Sequence, residues 1–301
     1  MLPFVVVGVD GSAESLAAVG WAAREAARRE RVLRLLHVRN WHPRQTEGEG
    51  EGEGAAGRHL AWRVLRQAQQ HVHDVRPDVR LDIEQVAGPA TAALLKQAGQ
   101  AELLALGSRG LGGLTSYLVG SVAAGVVARA TRPVVLVRAD QERHDGPPPV
   151  DDAGTRTPAG PRDVVLGMDI GEACDAVVEF AFEAARVRDA RLNTVHAWRA
   201  PRLSPGPGEI GLLDAAQCAE EWRGFLPALL RPWREKYPGV RVLETVVEDR
   251  PSRAVVRAAA GAALLVVGHR LPERPAGPRT GPVTHAAIHH AGCPVAVVPH
   301  A

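Results

Sequence analysis

The segment from Gly107 to Ser121, GSRGLGGLTSYLVGS, places several glycines, a basic side chain and a serine in a single loop. Glycine accepts positive φ values and lets an anion approach backbone N–H groups closely. Arg109 adds a positive charge, and Gly120 and Ser121 stand where a helical pattern begins, with free N–H groups and a hydroxyl. These residue types predict a phosphate-binding loop. The alternative is a glycine-rich mobile surface loop without a ligand.

The spacing of this loop excludes two common phosphate motifs. The P-loop needs closely spaced glycines followed by a lysine, which are absent here. The Rossmann glycine fingerprint follows the first strand, whereas this loop follows the fourth predicted strand. Asp10 ends the first strand pattern, VVVGVD, and its carboxylate suits a ribose hydroxyl or a metal ion. The alternative for Asp10 is a polar residue in the turn before a helix.

The elements that position these residues come from an internal repeat. Residues 5–38 align without a gap on residues 164–197, which places Asp10 on Asp169. A second alignment, with a slightly larger offset, joins residues 102–110 to residues 263–271. Because similarity covers both ends of each half, we expect duplicated domains. The predicted limits are residues 1–140, a linker of residues 141–162 with many prolines and glycines, and residues 163–301.

Each half alternates short strands rich in valine and leucine with helical patterns, which is typical of strands buried on both faces of a parallel sheet. We therefore predict an α/β fold with two tandem, doubly wound, parallel five-stranded, Rossmann-like sheets. In such sheets a ligand lies beyond the carboxyl ends of the strands. The first-half strands are predicted near residues 3–9, 32–38, 80–86, 103–107 and 133–138. The helices are predicted near residues 13–29, 58–75, 90–99 and 121–130, and residues 46–57, TEGEGEGEGAAG, are predicted to be a mobile loop.

Composition narrows the classes of function. The chain of 301 residues has a formal charge of +2 and no concentrated block of Lys and Arg, which argues against nucleic-acid binding. No apolar run has the length of a membrane-spanning helix, and the opening MLPFVVVGVD lacks the basic start of a signal peptide. Three cysteines without a CxxC pattern are typical of reduced thiols. We expect a cytoplasmic protein without membrane or nucleic-acid partners.

The second half lacks several features of the proposed phosphate loop. Leu271 stands at the position of Gly110, and Pro282 stands at that of Ser121. A proline has no N–H group to offer a phosphate, and leucine does not suit a turn with positive φ. We therefore predict weak or no nucleotide binding in this half. A different anion remains an alternative because the loop keeps its arginines.

Histidines supply a weaker signal. His285 and His289 have the helical spacing that two metal ligands use, but no third ligand is evident, so a solvated or partly packed helical face is the favoured interpretation. His71 and His73 are interpreted in the same way. His37 and its counterpart His196 are predicted to be packed or hydrogen-bonded structural residues.

Together, the VVVGVDGSAES start, LLHV on the second strand and the spacing of glycines before the last helix resemble the universal stress protein family, in its tandem two-domain, actinobacterial-like form. For the family's nucleotide-binding branch, whose fold is similar to that of the adenine nucleotide alpha hydrolases, the resemblance implies ATP, possibly with Mg²⁺. It also implies that two such domains pair, often along the last strand. The expected partner of the first half is the second half of the same chain, and two chains are further expected to form a homodimer. The site residues implied by the resemblance are Asp10, Val38, Gly107, Arg109, Gly110, Gly120, Ser121 and Val122.

Three functions follow as hypotheses. The leading one is an ATP-binding regulator or nucleotide sensor of the stress response, with one competent site in the first half and no catalytic residues, although slow hydrolysis stays open. An adenylylating enzyme of the PP-loop type is a second hypothesis, since DGSAES faintly resembles that family's loop; however, Asp10 replaces a glycine and no substrate domain is evident. The third is an interaction module that acts through dimer contacts without a nucleotide.

Overall fold

A computed structural model describes residues 4–39, 51–108, 119–141, 162–171, 174–199, 215–271 and 280–301. The first half contains β1 (Phe4–Gly8), α1 (Ala13–Arg28), β2 (Val32–Arg39), α2 (Glu51–Val75), β3 (Leu81–Ala87), α3 (Ala90–Ala98), β4 (Leu103–Ser108), α4 (Ser121–Val127) and β5 (Val134–Arg138). The second half contains β6 (Val164–Gly167), α5 (Asp175–Arg186), β7 (Leu192–Trp198), α6 (Ala215–Lys236), β8 (Val242–Glu248), α7 (Pro251–Ala258), β9 (Leu264–Arg270), α8 (Pro282–His290) and β10 (Val295–His300).

The described strands form one ten-stranded sheet in the order β3-β2-β1-β4-β5-β10-β9-β6-β7-β8. Within each half every pair of neighbouring strands is parallel, and the two halves have the same strand order. This confirms the predicted α/β class and the two tandem parallel sheets. The predicted strands of the first half agree with the observed ones to within about a residue at each end.

Helices cover both faces of the sheet, and each face has its own apolar core. One core unites side chains of α1, α2, α5 and α6 with the strands, and it includes Trp21 and Phe182, each fully buried. The other unites α3, α4, α7 and α8 with the opposite strand face. Because each core contains residues of both halves, the halves share a continuous interior. The valine-rich strands therefore pack on both sides, as their lack of alternation predicts.

The two halves join through their last strands. β5 pairs with β10 in an antiparallel ladder, in which Leu136 lies opposite Val295 and Val134 opposite Val297. Gln141, the first residue of the predicted linker, is buried against this joint, and its amide donates to the carbonyl oxygen of Ala291 at 3.2 Å. Pairing of the first half with the second half of the same chain, along the last strand, is thus confirmed.

One predicted loop is wrong in part. Residues 51–57 of the acidic segment belong to α2, which begins at Glu51, whereas a mobile loop was expected over residues 46–57. Extending a helix by further residues costs less than nucleating a new one, so this segment continues α2 despite its glycines. Residues 46–50 lie outside the described residues.

A cluster of buried charges lies where the halves meet, and we call it the interface charge cluster: Glu25, Arg29, Arg188 and Glu102. The Glu25 carboxylate accepts from Arg29 Nε and from Arg188 Nη2, both at 2.6 Å. Arg29 also donates from Nη1 to Glu102 at 2.7 Å. The side chain of Glu25 is 0% exposed, and those of Arg29 and Arg188 are 4% and 3% exposed. The ion pair between Glu25 and Arg188 therefore crosses the joint in a water-free setting.

The cluster changes the acidity of its central carboxyl. Burial raises the pKa of Glu25, but the positive charges of Arg188, Arg29 and Arg28 outweigh burial and lower the pKa from 4.5 to about 2. Folding therefore favours the ionised form of Glu25. The resulting stabilisation is fully present above pH 4.5 and is lost as the pH falls toward the folded-state pKa.

We expect this carboxyl to govern part of the acid stability. At pH 7 the free energy of unfolding of the wild type should exceed that of Glu25→Gln. Because glutamine does not titrate, this difference between the two proteins should be about 3 kcal/mol smaller at pH 2 than at pH 7. Denaturant unfolding of both proteins across this pH range measures the difference. A difference that does not vary with pH would show that Glu25 keeps its ordinary pKa in the folded protein.

Candidate functional site

Three of the predicted site residues lie where the parallel strands of the first half reach their carboxyl ends. β1 lies between β2 and β4, with Gly8 beside Leu36 and Val7 beside Ala105. Asp10 follows β1, Val38 lies near the end of β2, and Gly107 lies near the end of β4. The strand order therefore brings these three residues to one edge, at the point where the connections diverge to opposite faces of the sheet. This is the place where open α/β sheets bind ligands.

Asp10 organises the turn into α1. Its Oδ1 accepts from the backbone N–H of Ser12 at 2.9 Å and from the Ser12 hydroxyl at 2.6 Å. Ser12 in turn caps α1, because its Oγ accepts from the N–H of Ser15. Gly11 between them has a φ of 86°, which favours glycine. The turn thus combines both interpretations of Asp10: a capping turn and an exposed carboxylate at the sheet edge.

The hydrogen bonds around Asp10 keep this carboxylate ionised. Burial raises its pKa, but the bonds from Ser12 and Ser15 outweigh that effect and lower the pKa below 3.8. Near neutral pH, Asp10 is therefore an acceptor only. An acceptor-only group suits hydroxyl or amine donors on a ligand and repels a bare phosphate.

Gly107 has a packing role that the sequence did not reveal. A Cβ atom at this position would lie 2.6 Å from the backbone carbon of Glu14 and 2.7 Å from the nitrogen of Ser15. The first turn of α1 thus rests directly on the end of β4. Glycine is required here so that α1 and the Asp10 turn can approach the strand.

The start of α4 is arranged differently. Gly120 is its N-cap, and a Cβ at this position would meet nothing within 4 Å. Ser121 begins the helix and is exposed, and Val122 is also exposed. The helix predicted to begin near Gly120 and Ser121 therefore starts at Ser121. Arg109 and Gly110 lie outside the described residues.

A large cavity, of about 1230 Å³, opens beside Asp10 and Gly11. Its far wall is α2, where Trp62 and Arg66 contribute. The described residues that line it do not include Val38, Gly107 or Ser121. Of the predicted site residues that the structure describes, Asp10 alone lines this cavity, and the α2 side chains around it were not predicted.

The paired histidines of the second strands have the structural role that was predicted for them. His37 Nδ1 donates to the carbonyl oxygen of Val9 at 2.7 Å. His196 Nδ1 donates to the carbonyl oxygen of Met168 at 3.1 Å. Each ring thus ties the end of the first strand of its half to the second. The same bond in both halves supports the duplication.

The second half shows a modified version of the same edge. Asp169 Oδ1 accepts from the N–H of Gly171 at 3.0 Å, so the backbone part of the turn persists without the serine hydroxyl. Leu271 donates its N–H to the carbonyl oxygen of His300 at 2.8 Å, which continues the ladder between β9 and β10. Pro282 takes the first position of α8. Leucine is thus accommodated by extended pairing rather than by a turn with positive φ.

This second edge keeps a cavity of about 430 Å³, which the sequence did not predict. Most of its lining is apolar, with Met168, Val177 and Val255 among the contributors. The hydroxyl of Thr284, at the start of α8, donates to the carbonyl oxygen of Gly268 at 2.9 Å. The hydroxyl of Thr284 is thus hydrogen-bonded inside the protein, whereas in a phosphate-binding site it would point toward the ligand.

In the part of the chain that the structure describes, no group of three or more His, Cys, Asp and Glu side chains is placed to hold a metal ion. The ring centroids of His285 and His289 are 4.3 Å apart. The pKa of His285 is lowered, chiefly by burial and further by the charges of the neighbouring histidines. None of the described helices has the length and apolar character needed to cross a membrane.

The glycine contacts give a direct test. Gly107→Ala should lower the free energy of unfolding by about 2 kcal/mol, because the added methyl group overlaps the backbone of α1. Gly120→Ala is the matched control, since its methyl group enters open space at an ordinary φ of −58°, and its effect should stay within about 0.5 kcal/mol. Denaturant unfolding measures both. Equal losses in the two variants would contradict the packing role of Gly107.

Comparisons with known proteins agree with this architecture. The sequence profile of the Universal stress protein family matches residues 1–138 and 161–299. Universal stress protein Rv2005c of Mycobacterium tuberculosis is 33% identical over 299 residues, covering 97% of this chain and 96% of that protein. Universal stress protein Rv2623 of the same organism is 32% identical over 302 residues, with coverage of 97% and 95%.

A solved structure of a universal stress protein from Archaeoglobus fulgidus superposes with a TM-score of 0.70 at 16% identity, and it covers 99% of this chain and 98% of its own. That similarity supports the tandem fold. The two matched segments, the full-length relatives and the repeated edge built around Asp10 and Asp169 together show that this chain belongs to the universal stress protein family.

Proposed function

We propose that the first half binds an adenine nucleotide, ATP with or without Mg²⁺, and that the chain is a nucleotide-dependent regulator of a stress response. The observation that carries the proposal is the convergence of Asp10, Val38 and Gly107 at one sheet edge, next to the start of α4. Asp10 would accept hydroxyl groups of the ribose, and the backbone near Val38 would face the adenine.

The phosphates would lie on the loop between β4 and α4. Ser121 offers an exposed hydroxyl and an N–H group at the start of α4, and Gly120 leaves the space in front of them open. Arg109 and Gly110 belong to the same loop by sequence. A cavity of about 1230 Å³ adjoins the proposed site at Asp10. A magnesium ion would arrive with the phosphates, as it does at many nucleotide sites.

The second half supports a single site per chain. Pro282 replaces Ser121 and removes both an N–H group and a hydroxyl. Thr284 uses its hydroxyl on Gly268, and Leu271 uses its N–H on His300. Four groups that would otherwise be available to a phosphate are thus missing or already bonded. We infer that this half contributes structure and pairing rather than a nucleotide site.

A regulatory role fits the described residues better than catalysis. Asp10 is an ionised acceptor held by Ser12, and Nδ1 of His37 donates a hydrogen bond to a backbone carbonyl. Asp10 is therefore not poised to donate a proton to a substrate near neutral pH. The free cysteines Cys174, Cys218 and Cys293 support a cytoplasmic location. A homodimer stays a prediction, and the edges that remain for it are β3 and β8.

Calorimetry with ATP and Mg²⁺ tests the site and its number. We expect one nucleotide per chain, and Ser121→Pro should weaken binding by about tenfold or more, because it removes two donors to a charged group. Proline is compatible with the first position of a helix, as α8 shows at Pro282, so α4 should persist.

The matched control is Pro282→Ala, at the equivalent position of the second half, which should leave both affinity and stoichiometry unchanged. Two nucleotides per wild-type chain would refute the single-site assignment. If the wild type bound no adenine nucleotide at all, the nucleotide function itself would be wrong, and the chain would act through protein contacts alone.

A further inference from the structure

The arginines of the interface charge cluster occupy equivalent positions of the repeat. The alignment of the two halves places Arg29 on Arg188 and Trp21 on Phe180. The guanidinium carbon of Arg29 lies 5.4 Å from the ring centroid of Phe180, and that of Arg188 lies 5.9 Å from the ring of Trp21. Each half therefore places an arginine against an aromatic ring of the other, as a two-fold axis would require.

The carboxylates of the cluster break this symmetry. Glu25 aligns with Ala184, and Glu102 aligns with Ala263. The first half thus supplies both acids, and the Glu25 carboxylate neutralises an arginine from each half. The pairing surface of the second half contributes Arg188 without a carboxylate at the equivalent position.

This asymmetry matters because the cluster is buried. Arg188 is 3% exposed and Glu25 is 0% exposed, so water does not compensate a missing partner. A buried charge that loses its counter-ion is strongly destabilising. If two second halves paired in the same way, two copies of Arg188 would meet without either acid. A first half is different, because it carries its own acid for Arg29 and offers the same acid to the partner.

We propose that Glu25 determines which domain the second half accepts as its partner. The joint between β5 and β10 closes only when one of the two paired domains presents a carboxylate at this repeat position, to pair with the arginines of both. In this chain the first half is that domain. The second half therefore pairs with the first half and not with another copy of itself.

The experiment moves the carboxylate across the joint in the full-length chain. Glu25→Ala removes it, and Glu25→Ala with Ala184→Glu returns it from the equivalent position of the other half. Ala184 is suitably placed, since it is fully buried and its carbonyl oxygen accepts from Arg188 Nη1 at 3.1 Å. A carboxylate there has the same two arginines as partners by the symmetry of the repeat.

We expect Glu25→Ala to lower Tm by about 10 °C. Hydrogen exchange of the backbone amides in β5 and β10 should accelerate by about tenfold or more, because the joint opens before the separate halves unfold. The double variant should recover at least half of both changes. If Glu25 stabilised the joint only by filling space in α1, a glutamate at residue 184 in α5 would not restore the lost stability.

Glu179→Ala is the matched control. Glu179 lies on α5, as the rescue position does, but it is exposed and pairs with Lys236 of its own half. Its loss should change Tm by about 2 °C or less and leave exchange in β5 and β10 unchanged.

Each outcome decides the proposal. A Glu25→Ala chain with wild-type Tm and wild-type exchange at the joint would overturn it, and so would a double variant no better than the single one. If Glu25→Ala does not yield folded protein, the double variant decides alone: its recovery as a folded chain supports the proposal, and its failure contradicts it.

Discussion

The antiparallel pairing of β5 with β10 is the contact on which the rest of the molecule depends. It joins two five-stranded sheets into one and covers the two strand edges that separate domains would expose. It also explains the composition of α1, which is rich in alanine and buried almost all around. A surface helix needs a polar face, whereas a helix between a sheet and a second domain does not. Trp21 and Glu25 are fully buried because the other half covers them.

The two halves show how one fold supports two different edges. Both keep the aspartate turn and the histidine that ties the second strand to the first. They diverge at the loop before the last helix, where the second half continues its strand pairing through Leu271 and begins α8 with a proline. A few changes in hydrogen-bond donors are sufficient to make the two halves differ at this loop, because the sheet and the helices keep the same arrangement independently of the loop.

A residue of a candidate binding motif can have a packing role of its own. Gly107 belongs to the glycine pattern that suggested a phosphate loop, but its closest neighbours are backbone atoms of α1. Without this contact, the turn that carries Asp10 would be displaced from the end of β4. The glycine thus acts on the site through geometry, by setting where the acceptor lies. Gly120, whose surroundings are open, has no such packing constraint.

The amino-acid pattern was sufficient to predict the duplication, the order of strands and helices, and the meeting of Asp10, Val38 and Gly107 at the carboxyl ends of the strands. These features depend on local patterns and on chain direction. The pattern did not determine that α2 reaches back to Glu51, that Thr284 is already bonded, or that the second half retains a cavity. The ion pair between Glu25 and Arg188 was not predicted either, although the alignment of the two halves gives the repeat position of each residue. Such features depend on which distant surfaces come together, and only the tertiary structure decides that.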